Sequence, residues 1–172
     1  IKGQNYIGGA VGYADSRSAI TNVTTHVNIS GSSYIGGAAG YACNATISNI
    51  KTQLTANGTD HIGGIVGSVK SHSTFTNIAA VEADVTINGK NNLGGVVGYI
   101  DNVGSSYNNA ITTVYRSIIT CTINGNDFCG GIVGKVVKDS YYGYTTMDNN
   151  YVGGIIIATN YVGGICGYTE ST

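Results

Sequence analysis

The chain has 172 residues, of which 27 are Gly and none is Pro or Trp, and its 8 basic and 9 acidic residues give a formal net charge of −1. An apolar content of 42% is too high for a disordered tail, and a chain without Pro is not collagen-like. So few Lys and Arg leave no electrostatic footprint for nucleic acid, and no apolar run approaches the roughly 18 residues of a membrane span.

The first predicted element is the phrase Ile7-Gly8-Gly9-Ala10-Val11-Gly12, followed by Tyr13. It returns at 35–40, 62–67, 93–98, 129–134 and 162–167, with first-glycine spacings of 28, 27, 31, 36 and 33 residues. After the phrase comes apolar-x-Asn: Ile20 with Asn22, Ile47 with Asn49, Phe75 with Asn77 and Met147 with Asn149. The fourth unit departs, with Val114 and Arg116 in those slots. Asn22, Asn49, Asn77 and Asn149 are expected to share one column, their stacked amides bonding as a ladder. Each unit closes on an alternating stretch and a turn, as at Asn57-Gly58, Asn88-Gly89 and Asn124-Gly125. Asn-Gly predicts that turn because both residues tolerate positive φ. A seventh match, Val152-Gly153-Gly154, lies only 10 residues before the last phrase and breaks the period. Residues 155–157 fit the strand that precedes a phrase, which places Gly153-Gly154 in a turn.

Three short β segments per 27–36 residues, repeated in register, predict an all-β chain. The fold expected is a parallel β-solenoid, or β-helix, of about six coils forming one domain over residues 1–172. Coils stacked about 4.8 Å apart pair each backbone group with its neighbours and build a thin continuous core. Ile7, Ile35, Ile62, Leu93, Cys129 and Val162 would form one row. Val11, Ala39, Val66, Val97, Val133 and Cys166 would form another. The extra residues of coils three to five are placed at 79–83, 103–109 and 140–144, as loops bulging on one side. An antiparallel sandwich would give no reason for column identity at a fixed period. Neither terminal segment reads as a polar cap, so a piece of a longer repeat protein, or subunits stacked end to end, is expected.

The unit Gly-Gly-[Ile/Val/Ala]-[Val/Ala]-Gly-Tyr, then apolar-x-Asn, then Val-x-Ile-x-Gly, resembles the GLUG repeat. That motif recurs in large bacterial and protist surface proteins, among them stem regions of IgA-cleaving metallopeptidases and filamentous adhesin-like proteins. The resemblance covers nearly the whole chain and implies an extracellular or cell-surface scaffold. No catalytic residue carries over: the peptidase members need His-Glu-x-x-His, whereas His26, His61 and His72 are followed by Val27, Ile62 and Ser73.

Tyrosines are the most suggestive candidates for a site. Tyr13, Tyr41, Tyr99 and Tyr168 follow the Gly-Gly strand, with Ser68 and Lys135 interrupting the set. They are expected to form an exposed row that binds glycans or packs on a second solenoid. Tyr6, Tyr34, Tyr151 and Tyr161 precede Gly-Gly phrases. Of four glycosylation sequons, at Asn22, Asn28, Asn44 and Asn57, the turn residues Asn44 and Asn57 are the better acceptors. Cys129 and Cys166 fall in core rows, Cys121 takes an apolar slot, and Cys43 is expected at an exposed corner. Asp15, Cys43, Lys70, Asp101, Val137 and Glu170 share one position and are too mixed for an active-site row. Glu82 and Asp84 fall in a predicted insertion. Neither a Gly-x-Ser-x-Gly elbow nor a GxxxxGK[ST] loop occurs. No catalytic residue, metal or cofactor is therefore assigned. The leading expectation is a non-catalytic structural module, a stalk or fibre segment of an extracellular surface protein. Its partners would be further copies or other surface components, with no nucleic acid and no membrane insertion. The alternative is an adhesin-type module that recognises glycans or host proteins through the Tyr rows and loops. A non-catalytic stem of a larger enzyme comes third.

Overall fold

Abundant β-branched residues and Tyr, with no 3.6-residue apolar period, favour extended strand throughout. The computed structural model describes residues 1–72, 75–104, 109–138 and 142–170, and none of these is helical. The first coil holds β1 (Asn5–Gly8), β2 (Val11–Ala14) and β3 (Ala19–Ser30). The second holds β4 (Ser33–Gly36), β5 (Ala39–Cys43) and β6 (Thr46–Asn57), and the third β7 (Asp60–Gly63), β8 (Val66–His72) and β9 (Phe75–Asn88). The fourth comprises β10 (Asn91–Gly94), β11 (Val97–Val103), β12 (Ala110–Tyr115) and β13 (Ile118–Asn124). The fifth comprises β14 (Asp127–Gly130), β15 (Val133–Lys138), β16 (Gly143–Asp148) and β17 (Tyr151–Ile157). The sixth phrase supplies β18 (Asn160–Gly163) and β19 (Cys166–Thr169).

Each strand pairs in parallel with its counterpart one coil away, which builds three sheets. Two sheets have six strands, β1-β4-β7-β10-β14-β18 and β2-β5-β8-β11-β15-β19. The third stacks β3, β6 and β9, then β12 with β13, then β16 with β17. The chain is thus a parallel β-solenoid of about five turns. Both predicted rows are in register, Ile7↔Ile35↔Ile62↔Leu93↔Cys129↔Val162 and Val11↔Ala39↔Val66↔Val97↔Val133↔Cys166. Ile35, Ile62, Leu93 and Cys129 are fully buried, and Ile29, Ala56, Ile87 and Ile123 continue the core on the third side.

The third side is not short. β3 and β6 run 12 residues and β9 runs 14, each bending at a residue of positive φ. Those residues are Asn22 (57°), Asn49 (54°) and Ala80 (52°), and in the next two coils Arg116 (55°) and Asn149 (51°) part the strand pairs at the same point. The left-handed region is costly for L-residues and least so for Asn and Gly. Asn is therefore favoured at this column for its backbone. The apolar column beside it is Ile20, Ile47, Ile78, Val114 and Met147. Phe75 and Asn77 do not belong to these columns: Asn77 pairs with Thr46 and Thr113, and Ala80 takes the bend.

Close approach explains the paired glycines. A Cβ on Gly63 would lie 1.9 Å from the Val66 carbonyl oxygen, and one on Gly64 would lie 2.0 Å from the Gly95 oxygen of the next coil. The first contact closes the corner and the second sets the stacking distance. The Asn-Gly turns also differ from expectation, because no positive φ occurs at Asn57, Asn88, Asn124 or the glycines after them. Gly58 instead makes room for Ile35 and Ile62, whose Cδ1 atoms would lie 2.7 and 3.0 Å from a Cβ. Gly153 and Gly154 lie within β17, opposite Thr120 and Cys121, and not in a turn.

The extra residues all enter at the corner between the second and third sides. Cys43 to Thr46 spans it in coil two, Lys70 to Asn77 in coil three, Asp101 to Thr113 in coil four and Val137 to Thr146 in coil five. Residues 79–83 are part of β9, so the predicted insertion there is misplaced. The 103–109 and 140–144 segments do fall at this corner, with 105–108 and 139–141 outside the described residues.

Candidate functional site

Two aromatic columns meet where the first sheet turns into the second. The column Tyr13↔Tyr41↔Ser68↔Tyr99↔Lys135↔Tyr168 lies on the second sheet. Facing it are Tyr6, Tyr34, His61, Asn92, Phe128 and Tyr161, each at a positive φ of 53–60° just before the core residue of its phrase. This left-handed step interrupts strand alternation and brings ring against ring. Tyr6 stacks on Tyr34 and Tyr34 on His61, at centroid distances of 4.8 and 4.9 Å. Tyr13 stacks on Tyr41 at 4.8 Å. Edge contacts tie the columns together, Tyr6 to Tyr13 at 5.6 Å and His61 to Tyr99 at 4.8 Å. Each such pair contributes about 0.5–1.5 kcal/mol beyond its area burial, which offsets a backbone cost of about 1–2 kcal/mol per left-handed residue.

The columns are interrupted where their residue type changes. Lys135 lies over the rings of Phe128 (4.6 Å) and Tyr168 (5.3 Å), a cation–π arrangement. Ser68 places a hydroxymethyl group between Tyr41 and Tyr99. A cleft of about 260 Å³ opens along this corner, lined by Tyr34, Tyr41, His61, Ser68, Tyr99 and the Lys70–Asp101 pair, with Tyr6 and Tyr13 at its end. Lys70 Nζ meets Asp101 Oδ2 at 3.1 Å, while Asp101 Oδ1 and His61 Nδ1 are buried without a hydrogen-bond partner. Burial, reinforced by neighbouring ionisable groups, pushes the Tyr13, Tyr34 and Tyr41 phenols up, so they stay protonated hydroxyl donors at neutral pH. Burial lowers His61 below the ordinary imidazole value, which keeps it neutral there.

Other predicted site residues are scattered. Asn22 and Asn49 are exposed, and Asn49 Nδ2 donates to Asn22 Oδ1 at 3.2 Å. Asn149 donates to Asp148, and Asn77 accepts from the Thr113 hydroxyl at 2.6 Å, so the expected four-member ladder is one bonded pair. A ladder does run through the turns instead: Asn88 donates to Asn57 (3.0 Å) and Asn124 to Asn88 (2.9 Å). The glycosylation candidate Asn57 belongs to it, and the other, Asn44, accepts the His72 N–H at 2.9 Å. Asp60 and Asp127 accept from Asn91 and Asn160, both at 2.7 Å. Tyr151 lies on β17 opposite Ile118, away from the aromatic corner.

Cys43 is buried, contrary to the exposed position expected, because His72 and the longer third coil cover it. Its sulfur lies 3.7 Å from His72 Nδ1, and burial with Asp15 nearby pushes the thiol up, away from a nucleophilic thiolate. All four cysteines are free thiols. Glu82 and Asp84 lie on β9, where Glu82 forms an exposed ion pair with Lys51 at 3.1 Å. Beneath the lengthened corner lies a buried polar seam that the sequence did not announce. Ser71 meets Thr76 (2.8 Å) and Thr112 (3.0 Å), Thr112 donates to Asn102 Oδ1 (2.7 Å), and Asn102 donates to Thr145 (2.8 Å). Among the described residues no group of three or more His, Cys, Asp or Glu could hold a metal ion, and no helix is long and apolar enough to cross a membrane. Scans against protein-family models, curated proteins and solved structures return no match to this chain.

Proposed function

We propose that the chain is a non-catalytic structural module, a stiff β-solenoid segment of a stalk or fibre on an extracellular surface protein. The observation that carries this reading is the unbroken register. The same columns run through every copy of the phrase, so one core and three parallel sheets continue along a single axis. Even the glycine corners are bonded coil to coil, as from Gly64 N–H to the Gly94 carbonyl at 3.0 Å. Such a stack resists bending because each coil is held on three sides. Resemblance of the repeat to GLUG supports the surface setting.

Electron microscopy of the native material, with its intact polypeptide mass, tests the reading. Long rods support it, whether built from subunits of 17.6 kDa or from a larger chain. Discrete, non-associating particles of 172 residues overturn it.

A further inference from the structure

Four tyrosines meet at the aromatic corner of the first two coils. Tyr6 stacks on Tyr34 with ring centroids 4.8 Å apart and planes 13° from parallel, and Tyr13 stacks on Tyr41 at 4.8 Å and 14°. Tyr6 also lies edge-on to Tyr13 at 5.6 Å and to Tyr41 at 5.9 Å. Stacking needs rings but no hydroxyls, since Phe128 stacks on Tyr161 at the same 4.8 Å. Phenols held this close can also react with one another.

The reaction they are placed for is oxidative coupling. A one-electron oxidant removes an electron from each of two phenols, and each phenol releases its proton. Two phenoxyl radicals result, with spin at the carbons ortho to oxygen. Two such carbons join in one new C–C bond. Each then loses its hydrogen as a proton, a proton returns to each oxygen, and both hydroxyls are restored. With hydrogen peroxide as the terminal oxidant, acting through a peroxidase, two phenols and one peroxide give one dityrosine and two waters.

Geometry favours coupling within the chain. Asn5↔Ser33 and Ile7↔Ile35 pair on either side of the ring-bearing residues, so the two backbones stay in neighbouring coils. The rings need only hinge about their side-chain torsions to meet. Well-oriented groups in one molecule react at effective concentrations of about 10⁵–10⁸ M, far above that of any second chain. Tyr34, with a coil on each side, is only half-buried, so its ring edge reaches solvent. The two stacks are not equivalent. Cys43 lies near Tyr13 and Tyr41, where its thiol can return a hydrogen atom to a radical. The other face of Tyr34 meets the His61 ring at 4.9 Å, which gives up no hydrogen atom so readily.

We propose that Tyr6 and Tyr34 form an oxidative cross-linking site, joined as dityrosine by a peroxidase with hydrogen peroxide, which ties the first coil covalently to the second. All four cysteines are free thiols, so no disulfide makes such a tie. The site goes beyond the scaffold reading and does not depend on it.

The test treats the full chain at neutral pH with a haem peroxidase and limiting hydrogen peroxide. The expected product is a monomer lighter by two hydrogen atoms, with dityrosine fluorescence and, after proteolysis, a peptide pair joined through Tyr6 and Tyr34. The linked chain should unfold at a higher urea concentration than its parent, because the link closes a loop in the unfolded state. Tyr6→Phe keeps the ring stack and is expected to lower the dityrosine yield at least fivefold, whereas Tyr13→Phe leaves it within twofold. Oxidation of the urea-unfolded chain lowers the yield of the Tyr6–Tyr34 link at least tenfold. The proposal is overturned if no dityrosine forms, or if coupling joins only separate chains. It is likewise overturned if the link maps to Tyr13 and Tyr41 or to a thioether at Cys43, or if Tyr6→Phe and Tyr13→Phe lower the yield equally.

Discussion

The corner at the paired glycines and the corner between the second and third sides are built to opposite rules. At the first, every coil has the same paired glycines, and from Gly9 to Gly131 the backbone of the following coil fills the space a side chain would need at the second of them. At the second, the coils take three, seven, twelve or nine steps between equivalent positions, and the rest of the register is unmoved. Repetition in a solenoid is thus enforced where coils touch along the axis and relaxed where the chain projects sideways. Lengthening has a structural cost of its own. Two strands that leave the core face each other, and the space between them is filled by the Ser71–Thr112–Asn102 seam.

The sharpest way to break the contrast is a methyl group at the tight corner. Gly64→Ala sets a Cβ 2.0 Å from the Gly95 oxygen and is expected to cost about 3 kcal/mol or more, or to prevent folding. Gly164→Ala meets nothing within 4 Å in this chain and should change stability by less than about 0.5 kcal/mol. Urea denaturation of the pair measures the difference, and equal effects would mean that axial contact does not explain the glycines. A smaller effect is expected at the loose corner. Asn102→Ala removes a donor to the Tyr144 carbonyl and to Thr145, and leaves the Thr112 hydroxyl with Ser71 as its remaining partner, at a cost of about 2 kcal/mol. Amide exchange should then quicken in β12 and β16 before β7 and β10, and uniform quickening would count against a separable corner.

The smallest effect sharpens the comparison one residue before a tight corner, at Cys129. Burial, with Asp127 nearby, pushes this thiol up to about 11, from an ordinary value of 9.0. The folded chain therefore holds its proton more tightly than the unfolded one. Stability is fully present below pH 9 and is lost as pH rises towards about 11, because the unfolded thiol ionises first. Cys129→Val, matching Val162 in the same column, should flatten that loss in thermal melts taken across the window. A melt profile identical to the parent's would place the alkaline sensitivity in the other thiols.

Much of this was legible because column identity survives in the residues. The Gly-Gly phrases give the register of two sheets without error, since steric demand admits no substitute for the glycines. The third sheet was harder to read. Its bend needs a left-handed backbone, a demand that Asn meets most cheaply but that Ala80 and Arg116 also satisfy. Reading for Asn therefore caught Asn77, which the lengthened third coil carries three positions too early. The turn ladder was overlooked because Asn57, Asn88 and Asn124 already had a local explanation as turn formers. The two tyrosine columns were visible singly. Their meeting was not, because nothing in the spacing from Tyr6 to Tyr13 reveals the left-handed step that turns the first ring towards the second.

The 4.8 Å repeat of the stacked rings also makes the molecule's length a matter of whole numbers. Duplicating or deleting one coil would move everything beyond it by one step and leave its surroundings unchanged. A gene that gains or loses a repeat would adjust reach by fixed increments, as beads do on an abacus wire, and each outward-facing group would keep its bearing around the axis.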